Sequence, residues 1–229
     1  MCTERYNIVI CDNSNAVKLF CTGWYKIQLS REYGENMARK KQFDERQALV
    51  SAMLVFWEKG YEGTSINDLE QAMGLKRTSI YNAFGNKSAL FERVMSCYKE
   101  SVMSALFVEL DSAPDIREGV RRLLNGALDI HFDEGHPGGC LVVLSIMESG
   151  QHNDQAQASM QQTIHELKTA LQKRLSRAKK SGELSQHLDA AATATTIATT
   201  MAGLMVMGKA NFTRASLKKT VNQVVSLLD

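Results

Sequence analysis

The sequence predicts an all-α protein with a small helical unit on its N-terminal side and a larger helical body after it. Three observations lead there. The 229 residues hold only two prolines, and Ala, Leu and Met are abundant while clusters of β-branched residues are few. Apolar residues recur at helical spacing through one segment after another. Glycine and proline fall between those segments, where helices must stop.

Composition bounds the function. An apolar content of 44% is ample for a packed core. A net charge of +2 is nearly neutral, so attraction to a polyanion would have to come from a local basic patch. Five cysteines without metal-type spacing point to a reducing cytoplasm rather than to a disulfide framework. No run approaches the roughly eighteen apolar residues that span a bilayer, so no membrane partner is expected. Residues 1–36 stand apart, with Cys2, Cys11, Cys21 and Trp24 but no sustained helical period. Asp12, Asn13, Asn15 and Lys18 interrupt any apolar stretch there, against a signal peptide. Met37 then opens MARKKQFDERQ, so two readings stand: an added or read-through extension before a native start at Met37, or an ordinary N-terminal arm.

From Asp44 to Lys59, apolar Ala48, Leu49, Ala52, Met53, Val55 and Phe56 share one helical face, and Gly60 is the stop. Tyr61 tucks its ring near that end. Thr64 or Ser65 caps the next helix, with Asp68 three residues after Ser65 to complement the free amides. Ile66 and Leu69 face inward, and Gly74 makes a tight turn. Leu75, Ile80 and Phe84 anchor a second short helix against the first.

What remains outside on that second helix is Lys76, Arg77, Thr78 and Ser79, then Tyr81 and Asn82 one turn on. Two short helices joined by a tight turn, with small polar and cationic side chains opening the second, fit a DNA major groove. Arg77 suits a guanine edge and Asn82 an adenine, while Thr78 and Ser79 are short enough to reach a thymine methyl. Tyr81, Lys87 and Thr64 are placed to grip phosphates. Arg39, Lys40 and Lys41 form a cationic lead-in for a backbone or minor-groove contact. Residues 37–87 are thus expected to form a three-helix helix-turn-helix domain that binds double-stranded DNA.

The order Phe56, Gly60-Tyr61, Thr64-Ser65-Ile66, Asp68-Leu69, Gly74-Leu75, Ser79-Ile80-Tyr81, Phe84, Lys87 and Leu90 resembles the tetracycline-repressor (TetR) family of bacterial transcriptional regulators. By that resemblance, DNA contacts carry over to Thr64, Arg77, Thr78, Ser79, Tyr81 and Lys87, with Asn82 beside them. Two residues depart from the family pattern. Lys76 stands where a capping serine is usual, and Glu70 where a small residue is common before the turn.

Residues 88–229 are expected to be the helical effector-binding and dimerisation domain. Ser88 to about Leu110 reads as one long helix with Leu90, Phe91, Val94, Tyr98, Val102, Leu106 and Leu110 near one stripe. Ala113-Pro114-Asp115 ends it, and a helix capped by Asp115 runs to about Phe132. Residues 133–139 are a loop, 140–148 a short buried helix, and 154–180 a long amphipathic one. The nearly uncharged helix 189–209 must be covered on almost every side, and 214–228 is its amphipathic partner. The resemblance implies that these last two helices pair with those of a second copy. A homodimer would then present two recognition helices to a palindromic operator, and a small-molecule effector would release a repressor from it.

Candidate pocket residues are Phe107, His131, Cys140, Met147, Met201 and Met205, although scattered methionines are more often plain core filling. Cys140 with His131 and His136 leaves open a thiol- or metal-responsive regulator of the same fold and, more remotely, a cysteine-dependent enzyme. The mixed donors match no closed zinc pattern, and no metal or cofactor is expected.

Overall fold

The computed structural model describes residues 43–148 and 154–229, together with the backbone of two short strands, Val9–Cys11 (β1) and Val17–Leu19 (β2), paired antiparallel. Arg39, Lys40 and Lys41 and most of residues 1–36 lie outside the described residues. From residue 45 onward the described chain is helical, as its composition predicts.

Helix α1 (Glu45–Gly63) starts at Asp44, whose carboxylate accepts the amide hydrogens of Arg46 and Gln47. Its predicted inner face is buried, with Val55 only partly so, and Val50 and Trp57 join it. At Gly60 the backbone takes φ 73°, ψ 174°, a region open almost only to glycine, and the chain turns there. Then come α2 (Ile66–Met73), α3 (Arg77–Phe84) and α4 (Lys87–Tyr98). The cap of α4 is Asn86, which accepts the Ala89 amide hydrogen, so the helix opens at Lys87 rather than at Ser88.

The single long helix expected from 88 to 110 is two α-helices in line, α4 and α5 (Ser104–Asp111), joined by a π-helical stretch, Lys99–Met103. Ser101 returns a hydrogen bond to the Cys97 carbonyl at 2.6 Å and Ser104 returns one to Glu100, local competition of the kind that loosens a helical ladder. The predicted stripe stays buried through this join, from Leu90 to Leu110. Helix α6 (Ile116–Phe132) is capped by Asp115, and α7 (Leu141–Met147) follows the 133–139 loop. The chain ends with α8 (Asp154–Ser181), α9 (Ala190–Lys209) and α10 (Arg214–Ser226).

The buried cluster runs without a break from α1 through α4 into the C-terminal helices. Helix α9 departs from expectation twice. By length and composition it passes for a membrane span, with a mean hydropathy of 1.4, yet one side of it packs against α6, α8 and α10. Its threonines hide their polarity by returning hydroxyls to backbone carbonyls, Thr193 to Asp189 at 2.7 Å and Thr200 to Thr196 at 2.8 Å. Nor is it covered all round: Thr195, Thr199, Gly203, Val206 and Met207 face outward along one side.

Trp57 and Tyr61 make three of the contacts that bind the helix-turn-helix unit to the body. The Trp57 indole packs edge-on against Tyr98 at 5.2 Å and donates its N–H to the Gly138 carbonyl at 3.1 Å. Past the Gly60 turn, the Tyr61 amide hydrogen is accepted by Glu148 of α7 at 2.8 Å. A Cβ on Gly60 would collide with that same carboxylate. Gly60→Ala should therefore lower stability by about 2 kcal/mol, the backbone penalty alone being of order 1–3, as read from chemical denaturation of the full chain.

Candidate nucleic-acid interface

The surface a groove would meet is built on buried residues. Leu69 holds α2 inward while Ile80 and Phe84 hold α3, with Leu75 partly covered at the turn between them. Gly74 makes that turn in the left-handed region, φ 63°, ψ 26°, and its amide hydrogen is accepted by the Glu70 carbonyl. Locking one side of α3 in this way leaves Lys76, Arg77, Thr78, Tyr81 and Asn82 exposed together, with Ser79 half-covered.

Ser65, rather than Thr64, caps α2. Its hydroxyl accepts the Asp68 amide hydrogen at 3.1 Å, and the Asp68 carboxylate accepts the Ser65 amide hydrogen at 2.8 Å. Asp68 is also paired with Lys59 at 2.6 Å. That lysine and the two bonds from Ser65 hold its carboxyl well below the usual carboxylate range. The Asp68 carboxylate is therefore charged at neutral pH, and its bonds are lost only as pH falls through that depressed value. Thr64 is a correction to the expected phosphate set: it is 1% exposed and donates its hydroxyl to the Gly60 carbonyl at 2.6 Å. It braces the corner after α1 and presents no free hydroxyl outward. The residues exposed at the start of α2 are Ser65 and Asn67; sequence reasoning passed over them, although the Ser65-x-x-Asp68 spacing marked that helix end.

The two departures from the family pattern meet in space. As N-cap of α3, Lys76 makes no side-chain bond to the helix. Glu70 of α2 reaches across the turn instead, and its carboxylate accepts the Arg77 amide hydrogen at 2.6 Å. One departure from the family pattern thus supplies the cap that the other cannot. Further along α3, the Arg77 guanidinium donates to the Tyr81 hydroxyl at 3.3 Å and lies 5.4 Å from its ring centroid. Lys87, in the first turn of α4, rests its ammonium 4.4 Å from the Tyr61 ring centroid.

The expected effector residues differ in their surroundings. Cys140, Met201 and Met205 are buried in the core and Phe107 packs partly against it. Met147, the last residue of α7, is 73% exposed. His131 does line a cleft of about 400 Å³, formed by the 131–138 loop region and the 208–213 turn. Its Nδ1 accepts the Gly139 amide hydrogen at 2.7 Å, and burial pushes its pKa down, so it is neutral at pH 7. Cys140 Sγ accepts from the Tyr98 hydroxyl at 3.5 Å, while His136 lies against Trp57 and Asp133. Among the described residues no three metal-donor side chains cluster.

Residues 48–94 match the family of bacterial regulatory proteins of the tetR type, and residues 117–224 match the tetracyclin repressor-like C-terminal domain. A two-cysteine variant of the TetR family transcriptional regulator CifR, solved with 26-base-pair operator DNA, is 33% identical with a TM-score of 0.75. The match covers 82% of this chain and 98% of that one. The chain belongs to the TetR family. It is accordingly a DNA-binding transcriptional regulator with the helix-turn-helix unit at α1–α3 and a helical C-terminal domain. The transcriptional regulator YezE of Bacillus subtilis (strain 168) is 29% identical over 84% of this chain and its own full length. The transcriptional repressor ComR of Escherichia coli (strain K12) is 44% identical over 64 residues, 28% of this chain and 30% of that protein.

If Glu70 is the cap of α3, Glu70→Ala should cost about 1 kcal/mol of stability and weaken operator binding. Adding Lys76→Ser to it should restore both, because a serine at the cap position no longer needs the carboxylate. Thermal unfolding and fluorescence anisotropy of the single and double variants read the cycle, and lack of rescue would show that Glu70 acts otherwise.

Proposed function

We propose that the chain is a repressor of the bacterial cytoplasm that binds a palindromic operator as a homodimer and lets go when a small molecule occupies its C-terminal domain. The observation that carries the reading is the exposed polar and cationic set on α3, held outward by buried Ile80 and Phe84. Arg77 takes a guanine edge and Asn82 an adenine, with Thr78 and Ser79 at the groove floor. Lys76, Tyr81 and Lys87 hold phosphates and add affinity without sequence preference. The Arg77–Tyr81 contact keeps the guanidinium extended over α3 before DNA arrives, which reduces the entropy lost on binding. Arg39, Lys40 and Lys41 precede α1 and supply further backbone contacts. Repression is favoured by the names of the repressor relatives ComR and BdcR of Escherichia coli (strain K12).

The dimer reading is supported by the uncovered side of α9. A row from Thr195 to Met207 faces outward with Phe212 beside it, and nothing lies within 4 Å of where a Gly203 Cβ would sit. Small residues along an apolar row allow close approach of a second helix, and a two-fold axis there would present two α3 helices to one face of the duplex. We take 37–87 as the DNA-binding domain and 88–229 as the regulatory domain, with α4 serving both because α1 packs on it.

Binding to the DNA upstream of its own gene should fall steeply with salt. Arg77→Ala should cost about 1–3 kcal/mol and relax preference at one base pair, whereas Tyr81→Ala should weaken all sequences alike. Absence of such binding at low salt would sink the repressor reading. Gly203→Arg should leave the monomer folded, since the site is open, yet abolish the dimer in sedimentation velocity. A dimer unaffected by that change would place the interface elsewhere.

A further inference from the structure

We infer that the cleft between the 131–138 region and the 208–213 turn binds a small organic anion, a carboxylate on a flat or short apolar body, and that its occupation is relayed to the DNA-binding helices through Trp57. The inference rests on the regulator reading above and assigns it an effector site and an effector chemistry.

The lining decides the ligand class. At about 400 Å³ the cleft suits a small molecule rather than a macromolecular segment. Its apolar walls come from Phe132, Pro137 and Phe212, the last of these 43% exposed. No acidic residue lines it, and Lys209 brings a fixed positive charge. One proton of that ammonium is given to the Pro137 carbonyl at 2.6 Å, which leaves two for an incoming acceptor. Asn211 offers an exposed amide from a left-handed turn, φ 63°, a conformation uncommon outside glycine and best tolerated by asparagine. A cation would meet Lys209 with no carboxylate to offset it. A neutral ligand would gain nothing from displacing the lysine from Pro137.

The walls are also joined in a way that makes occupation mechanically consequential. His131 accepts the Gly139 amide hydrogen and packs its imidazole directly against Gly208, so it touches both sides of the cleft from the end of α6. Gly208 lies so close to the imidazole that no Cβ fits there. The loop residue that Lys209 holds, Pro137, directly precedes Gly138, whose carbonyl accepts the Trp57 indole hydrogen at 3.1 Å. A carboxylate that takes the two remaining protons and draws the Lys209 ammonium toward itself pulls it off the Pro137 carbonyl, and the next peptide in the chain is the one that fixes α1. The empty cleft with its Lys209–Pro137 tie closed is the state that holds α1. The occupied cleft, with the tie opened, lets α1 and the helices after it shift, and the ligand's preference for that state is the coupling free energy.

Sodium benzoate is the probe, replacing sodium chloride at constant ionic strength so that the general salt effect on DNA binding cancels. In the full-length protein, benzoate should shift the amide resonances of Gly138, Gly208 and Asn211 and the Trp57 indole N–H. It should also weaken operator binding by about fivefold or more. Phenylmethanol, of similar shape without the charge, should do neither. Lys209→Gln should remove the benzoate response, and Trp57→Phe should keep the shifts at Gly208 and Asn211 while uncoupling them from DNA binding. The inference falls if benzoate shifts lie elsewhere, if phenylmethanol acts equally, or if Lys209→Gln responds like the unaltered protein. A protein that binds no operator in chloride alone would instead overturn the regulator reading.

Discussion

The indole of Trp57 occupies the place where the DNA-binding helices meet the rest of the molecule, edge-on to Tyr98 of α4 and hydrogen-bonded to Gly138 of the loop before α7. A fully buried indole contributes a large apolar area and one N–H that must find an acceptor. The acceptor here belongs to a loop whose glycines, Gly138 and Gly139, both have positive φ, so that backbone can lie close against its neighbours. The orientation of α1 is thereby set by a contact distant in sequence, and the position of α3 follows from α1 through α2. With the Tyr61–Glu148 bond beyond Gly60, α1 is held on both sides of its kink. Any change in the loop or in α7 must be felt at the DNA-facing surface.

That surface shows how local chemistry compensates a lost rule. A helix N-terminus leaves amide hydrogens without partners, and a small polar cap normally takes one of them. With lysine at the cap position of α3, the acceptor comes from the preceding helix, through Glu70. The exchange keeps a cationic group at the entry to α3 while the helix end stays satisfied. It also ties the first amide of α3 directly to α2. The recognition helix is short, so one such bond fixes a large part of it.

Helix α9 illustrates a different economy. Threonine hydroxyls returned to carbonyls one turn back let a helix with few charges stay polar enough for water on one side and apolar enough for the core on the other. Its inner side, with Ala194, Ile197, Met201 and Leu204, closes the body. Its outer side, with Thr195, Thr199, Gly203, Val206 and Met207, carries no charge.

Much of this was readable from the chain alone, because the signals are local. Capping residues, glycine stops and the period of apolar positions depend on neighbours within a turn or two, and they located nearly every helix and the outward side of α3. The long helix after residue 87 was legible except for its π-helical stretch, since the apolar stripe continues through that stretch unchanged. The expected pocket was less legible: a buried methionine and an exposed one have the same sequence signature, and Met205 and Met147 proved to be one of each. Sequence determined the elements, their order, and the residues of α3 that stay outside. Only the tertiary structure decided that Thr64 turns inward, that Glu70 caps a helix not its own, and that a loop far along the chain grips Trp57. Each of those depends on backbone groups brought together across the fold, and side-chain identity alone does not say which carbonyl or amide will lie within reach.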